Sequence, residues 1–311
     1  MAFGAPSVIG MAQTRTAGTE VVVSLDDDVV AGTFVVVHSS WDNEGTADAE
    51  TSQLSIADTK SQTWTLIREQ TNSEGVNAAD GVTTAAWWAV LGSAWDSAAD
   101  SVTVTSTSSR TARCASVIIA PIDNPSVVVS QVSDSGLFSG GTRTRTIASL
   151  DDGVENLLLG FYACEVRFGD YYSGNTQTAG AFYTGRAVED SDYTSLDPIG
   201  TESSSSQANV SQRASFRILA AGNGTTDDWT LSTLQNGDSI MFLAAFEESS
   251  TLPERFIAAS SDLTLDGTAN LVASEVFITA AGTLALAGVA SGMIVEDATP
   301  RVLVWDGAAW V

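Results

Sequence analysis

Gly18-Thr19-Glu20-Val21-Val22-Val23-Ser24-Leu25-Asp26-Asp27 is echoed by Thr142-Arg143-Thr144-Arg145-Thr146-Ile147-Ala148-Ser149-Leu150-Asp151-Asp152, so that Ser-Leu-Asp-Asp recurs 125 positions further along the chain. In each copy an apolar run follows within a few residues, Thr33-Phe34-Val35-Val36-Val37 in one and Leu157-Leu158-Leu159-Gly160-Phe161-Tyr162 in the other. The correspondence continues downstream. Ala85 to Leu91 matches Ala214 to Leu219, Val102 to Val104 matches Trp229 to Leu231, and Val117 to Ile119 matches Ile240 to Leu243. Self-similarity of this kind marks a repeated structural unit, and drift in the offset is what loop insertions produce. The sequence therefore predicts two tandem copies of one domain, residues 1–127 and 128–248.

The matched runs are short, β-branched and bounded by Asp, Gly and Ser, which marks strands of an all-β protein. Only Ala85-Ala86-Trp87-Trp88-Ala89-Val90-Leu91 competes as a helix, and its apolar run equally suits a strand buried on both faces. Copies of roughly 115 to 125 residues with seven or eight strands suit a jelly roll or an immunoglobulin-like sandwich. Thr33 to Ser39 is apolar enough for both faces of a strand, and no Cys-Trp-Cys spacing is present. Both features favour the jelly roll. Residues 249–311 differ: strand-like pieces alternate with Asp266-Gly267, Ala281-Gly282 and Asp306-Gly307, which predicts a small β-module of short hairpins. Such a module buries little by itself and is expected to pack on a neighbour or on copies of itself.

The 311 residues carry 13 Lys+Arg against 38 Asp+Glu, a formal charge of −25. Binding to nucleic acid through its phosphates is thereby disfavoured, the more so because 12 of the 13 cations are scattered Arg. No apolar run approaches the roughly 18 to 20 residues that span a bilayer, and Met1-Ala-Phe-Gly-Ala-Pro lacks a cationic leader. A soluble chain starting near Met1 is expected. Such an acidic excess with a single Lys also suits a protein exposed to high salt. Cys114 and Cys164 sit among apolar residues and read as buried thiols without chemistry; with one His they cannot supply a zinc site.

Enzyme chemistry finds little footing. His38 is the one imidazole, and no Gly-x-Ser-x-Gly elbow accompanies it. A glycosidase needs only two carboxylates, yet the acidic residues are spread evenly along the chain, as solvation requires. Asp26-Asp27-Asp28 and Asp151-Asp152 are candidates for calcium, set against a simpler reading as Asp-rich turns. Trp41, Trp95, Tyr171 and Tyr172 fall in Asp/Gly/Ser-rich stretches predicted as loops. They are the candidate glycan or partner contacts, against the alternative that they close the sandwich ends.

Ile56-Ala57-Asp58-Thr59-Lys60-Ser61-Gln62-Thr63-Trp64-Thr65, then Trp87-Trp88-Ala89, then Asp100-Ser101-Val102-Thr103-Val104 resembles a pattern of bacteriophage virion proteins: a D-x-x-x-N-x-W hairpin, an aromatic strand and D-x-V-T-V. Where that pattern has Asp-Gly-Asn, this chain has Asp58-Thr59-Lys60-Ser61. The ending Val304-Trp305-Asp306-Gly307-Ala308-Ala309-Trp310-Val311 is similar to the W-D-G-x-x-W endings of phage tail, fibre and head-decoration proteins. The resemblance implies a non-enzymatic structural component of a tailed-phage particle, made in the host cytoplasm and exposed on the virion surface. Homotrimers are usual in such proteins, and a host-surface glycan is a further partner. Trp305 and Trp310 are then expected to clamp the last hairpin and to form an assembly contact. A carbohydrate-binding adhesin module is the alternative, and a polysaccharide hydrolase a more distant one. No cofactor is implied.

Overall fold

Val21, Val23 and Leu25 alternate with the exposed Val22 and Ser24, so one face of this segment is apolar and buried while the other meets solvent. The computed structural model describes residues 3–42, 53–72, 81–122, 127–132, 139–164, 187–189, 192–201, 209–236 and 239–248, and six strands between 255 and 304. The first half contains β1 (Ser7–Thr14), β2 (Gly18–Ser24), β3 (Phe34–Asp42), β4 (Leu54–Asp58), β5 (Thr65–Asn72), β6 (Val82–Val90), β7 (Ser101–Arg110) and β8 (Arg113–Ala120). The segment with competing helical character lies in β6. One sheet has the order β1-β8-β3-β6-β5 and the other β2-β7-β4. β1 pairs with β8, β2 with β7 and β3 with β6, all antiparallel. First strand thus meets last in nested pairs, the winding of a jelly roll. β5 departs from complete nesting by pairing with β6 and leaving β4 on β7. The Asp58 motif is consequently a connection from one sheet to the other, where a hairpin was expected.

The second half contains β9 (Val127–Val132), β10 (Ser139–Ala148), β11 (Asn156–Cys164), β12 (Ala187–Glu189), β13 (Thr194–Ser195), β14 (Ile199–Gly200), β15 (Ser211–Leu219), β16 (Thr226–Asn236) and β17 (Ser239–Glu248). Its sheets run β13-β15-β11-β17-β9, with β14 also on β15, and β10-β16-β12. Taken in chain order, with β13 and β14 together standing where β5 stands, this is the strand order of the first half. The Ser-Leu-Asp-Asp echo begins at the end of β2 and just after β10. Val23 and Leu25 are buried two positions apart, Ile147 and Leu150 three apart, and Ser149 absorbs the extra residue at φ 61°.

Each half encloses its own core. Val21, Val23, Val35, Val37, Trp87 and Val117 fill the first; Leu158, Tyr162, Trp229, Leu231, Met241 and Leu243 fill the second. A third core joins Phe34, Val36 and Ile118 to Leu159, Phe161, Phe242 and Phe246, from the opposite faces of the sheets that contain β3 and β11. Residues 1–248 therefore form one compact unit of four stacked sheets, with no division between 1–127 and 128–248 into separate bodies. This explains the apolar runs. Every residue of β3 and of β11 is buried, because each face of its sheet meets another sheet.

Residues 249–311 form a second unit, with β18 (Arg255–Ala259), β19 (Thr264–Leu265), β20 (Val276–Ala280), β21 (Ala285–Leu286), β22 (Ile294–Glu296) and β23 (Val302–Val304). Hairpins between successive strands were expected. Instead β18 pairs with β20, β19 with β21 and β20 with β22, all in parallel, and among the described strands only β22 with β23 is antiparallel. Phe256 lies beside Phe277 and Leu265 beside Leu286, each 21 positions on. Parallel neighbours cannot be joined by a two-residue hairpin and need a longer crossover, so these pairings rule out the simple hairpin order.

Candidate functional site

Asp58, Gln62, Trp64 and Asp100, some of the residues that carry the virion resemblance, come together at one loop end of the first sandwich. Asp58 closes its own turn: Oδ1 accepts from Lys60 N at 2.8 Å, and Oδ2 from Gln62 N at 3.0 Å and Trp64 Nε1 at 2.8 Å. Ser61 takes the left-handed conformation the turn demands, at φ 57°. Gln62 reaches across to the β6–β7 loop, where Oε1 accepts from Gly92 N and Nε2 donates to Ser93 O. Trp64 stacks on Trp95 with ring centroids 6.2 Å apart. Asp100 completes the cluster. Its Oδ1 accepts from Thr59 Oγ1 at 2.6 Å, and its Oδ2 accepts from Asp96 N at 2.7 Å and faces Lys60 Nζ at 3.2 Å. The Asp96 N–H, then the Thr59 hydroxyl, hold its carboxyl below the usual carboxylate range.

A second polar cluster lies in the core between the halves. The Thr84 hydroxyl donates to Ser39 O at 3.0 Å, so its oxygen accepts from His38 Nε2, also at 3.0 Å, and from Ser40 Oγ at 2.9 Å. His38 is therefore the Nε2–H tautomer. Its ring meets Phe161 edge to face, and burial holds its pKa down at about 3. Gln212, from the other half, donates to His38 O at 2.8 Å and to Ser116 Oγ at 3.1 Å, while Asn72 donates to Ser239 O. Neither Gln212 nor Asn72 stands out in the sequence. The signal that could have found them is a polar residue in a run whose neighbours are all buried.

The aromatic candidates part company with the expectation of exposed loops. Trp41 lies on β3, fully buried, with its Nε1 on Ser39 Oγ and the Arg113 guanidinium 5.6 Å from its ring centre. Trp95 is 2% exposed and belongs to the first sandwich's core, where backbone bonds to Val29 hold it. Neither ring offers a face to a ligand. The physical reason is size: each ring carries a large apolar area that packs inward, Trp41 from strand β3 and Trp95 from the loop between β6 and β7. Tyr171, Tyr172, Trp305 and Trp310 lie outside the described residues.

The carboxylates of the Asp clusters accept from backbone and hydroxyl donors of their own and neighbouring loops. Asp28 accepts from the Ser97 N–H and hydroxyl, both at 2.8 Å, which lower its pKa. Asp151 accepts from Gly153 N and Asp152 from Gly224 N. Among the described residues no three His, Cys, Asp or Glu side chains come together as a metal site. Cys114 and Cys164 are both buried, and burial raises the Cys114 thiol far above its ordinary value.

What fold and clusters define is an all-β protein of stacked, jelly-roll-like sandwiches, with its polar side chains used to tie loops and sheets together. Compared with protein-family models, with curated proteins and with solved structures, the chain matches none.

Proposed function

We propose that the protein is a structural, non-enzymatic component of a tailed-phage particle, exposed on the virion surface and acting by self-assembly and docking. The observation that carries this reading is the destination of the motif residues. Asp58, Gln62, Trp64 and Asp100, four of the residues that carry the virion resemblance, join in one network that fixes two loops to each other. Residues with that role serve shape. The one imidazole supports the same reading, since His38 is sealed between two sheets where no substrate can reach it. The buried places of Trp41 and Trp95 take the described aromatic platforms away from the carbohydrate-binding alternative.

The test is quantitative mass spectrometry of purified particles of the phage that encodes the chain, with immunogold labelling against the recombinant protein. A fixed copy number per particle and labelled particle surfaces are expected. Absence from particles, with the protein free in the lysate, would overturn the reading.

A further inference from the structure

Asn223-Gly224 stands in the short connection between β15 and β16. Asn223 is exposed, and its Nδ2 donates to Ala220 O at 3.0 Å, which folds the side chain back over its own turn. Gly224 has φ 110°, and nothing lies within 4 Å of the place a Cβ would take. Glycine adopts that backbone freely and leaves room beside the peptide nitrogen. The N–H of Gly224 donates to Asp152 Oδ1, in the connection between β10 and β11, at 2.7 Å.

These are the parts of an intramolecular acyl substitution. Asn223 Cγ and the Gly224 nitrogen belong to adjacent residues, so rotation about the Cα–Cβ and Cα–C bonds of Asn223 brings them together. Such tethering replaces the collision that an intermolecular attack needs. A peptide nitrogen attacks only as its proton leaves, and a base for that proton has to sit within hydrogen-bond reach, about 2.6 to 3.2 Å between heavy atoms. The Asp152 carboxylate does. It is also held there by bonds that do not involve it: Asp152 O accepts from Gly222 N at 2.8 Å, and Leu150 N donates to Thr225 O at 2.9 Å.

We propose that Asn223 is a self-modification site, at which the Gly224 nitrogen displaces the side-chain amide with Asp152 as the base. The nitrogen bonds to Asn223 Cγ as its proton passes to Asp152. The Cγ–Nδ2 bond then breaks, and Nδ2 leaves as ammonia with that proton, which regenerates the carboxylate. Water opens the five-membered imide at either carbonyl and leaves aspartate or isoaspartate at position 223. Either product sets a new negative charge near Asp152, and the repulsion loosens the tie between the two connections. The site needs no partner and does not depend on the virion reading.

Incubation of the folded full chain in heavy-oxygen water at neutral pH, followed by peptide mapping with mass spectrometry, tests the proposal. Wild type, Asn223→Gln, Asp152→Ala and Asp152→Ser are compared, folded and in urea, with the chain's other Asn-Gly pair, Asn236-Gly237, as internal standard. In the folded wild type the peptide with Asn223 should lose its amide, gain one heavy oxygen and split into two isomers, and Asn223→Gln should abolish this. Asp152→Ala should slow the conversion about tenfold, less than a sequestered base contributes. Asp152→Ser keeps an acceptor for the Gly224 N–H without a carboxylate and should show the same fall. In urea the differences should vanish, and Asn236 should keep its rate throughout. An Asn223 that reacts in urea but stays intact in the folded chain would overturn the proposal. So would a rate that Asp152→Ala leaves unchanged or raises, a wild-type rate in Asp152→Ser, an equal fall at Asn236, or a difference that persists in urea.

Discussion

His38 on β3 and Phe161 on β11 meet across the central core, their ring centroids 5.1 Å apart at 68°. His38 lies between Ala86 and Ser116 in its sheet, Phe161 between Ala214 and Phe242 in its own. The two sheets therefore face each other with unlike surfaces, hydroxyls and an imidazole on one side and aromatic rings on the other. Edge-to-face contact of the rings and the bonds from Gln212 fit those surfaces together.

The position of His38 makes stability depend on acid. Its pKa falls from 6.5 to about 3 on folding, so the unfolded chain binds a proton that the folded chain refuses. The favourable contribution is complete above the unfolded value and is lost as pH falls from about 6.5 toward 3. At pH 5 the loss is on the order of 2 kcal/mol. Urea unfolding of the wild type and of His38→Gln at pH 7 and pH 5 checks this. The drop between the two pH values should be smaller in the variant by about that amount, and equal drops would refute it.

At the loop end of the first sandwich, Asp58→Ala removes one acceptor from three N–H groups, including that of Trp64. The expected cost is about 2 kcal/mol. Because Trp64 stacks on the buried Trp95, freeing its indole should also red-shift the intrinsic fluorescence. A variant with unchanged midpoint and emission would mean that the turn holds without its aspartate.

Gly160 is packed face-on against Trp229, whose ring atoms would lie 2.5 to 2.7 Å from an added Cβ. Both residues are in the interior and the indole is fully buried, so the clash cannot be relieved at the surface. Gly160→Ala should lower the stability of residues 1–248 by about 1 to 3 kcal/mol, measured as a fall in melting temperature. A neutral result would show that the second core yields more than its burial implies.

Much of the fold was legible because strand burial leaves a period in the sequence. Val21, Val23 and Leu25 announce a half-buried strand, and Phe34 to Val37 a strand buried on both sides; the Ser-Leu-Asp-Asp echo then orders the copies. The central core was hidden for a physical reason: a both-faced strand reveals that something covers it, without saying that the cover is the other copy. Trp95 misled because polar neighbours mark the loop and leave the inward aromatic unmarked, and Trp41 because Ser39, Ser40 and Asp42 beside it disguise the end of a buried strand. In the C-terminal unit the sequence held a signal, Phe256-Ile257 and Phe277-Ile278 spaced by 21 positions. The Asp-Gly and Ala-Gly turns pointed to hairpins, and a turn dipeptide sets the local bend without choosing the partner strand.

The last prediction concerns the bonds between the halves. Gln212 donates to the backbone of β3 and to Ser116 on β8, and Asn72 on β5 donates to the backbone of β17. Both residues are buried. With a continuous core on either side of these bonds, the first 248 residues should unfold as one body, and the slowest amides of β3 and β11 should exchange through the same global opening. Gln212→Ala deletes these two bonds and leaves the buried His38 carbonyl without that donor, at a cost of about 1 to 3 kcal/mol. Native-state hydrogen exchange reads the two strands separately. Equal acceleration in β3 and β11 is expected, because a shared opening transmits the loss to both. If β11 alone accelerates while β3 keeps its protection, the halves open independently, and the central core is a contact between two domains instead of the middle of one.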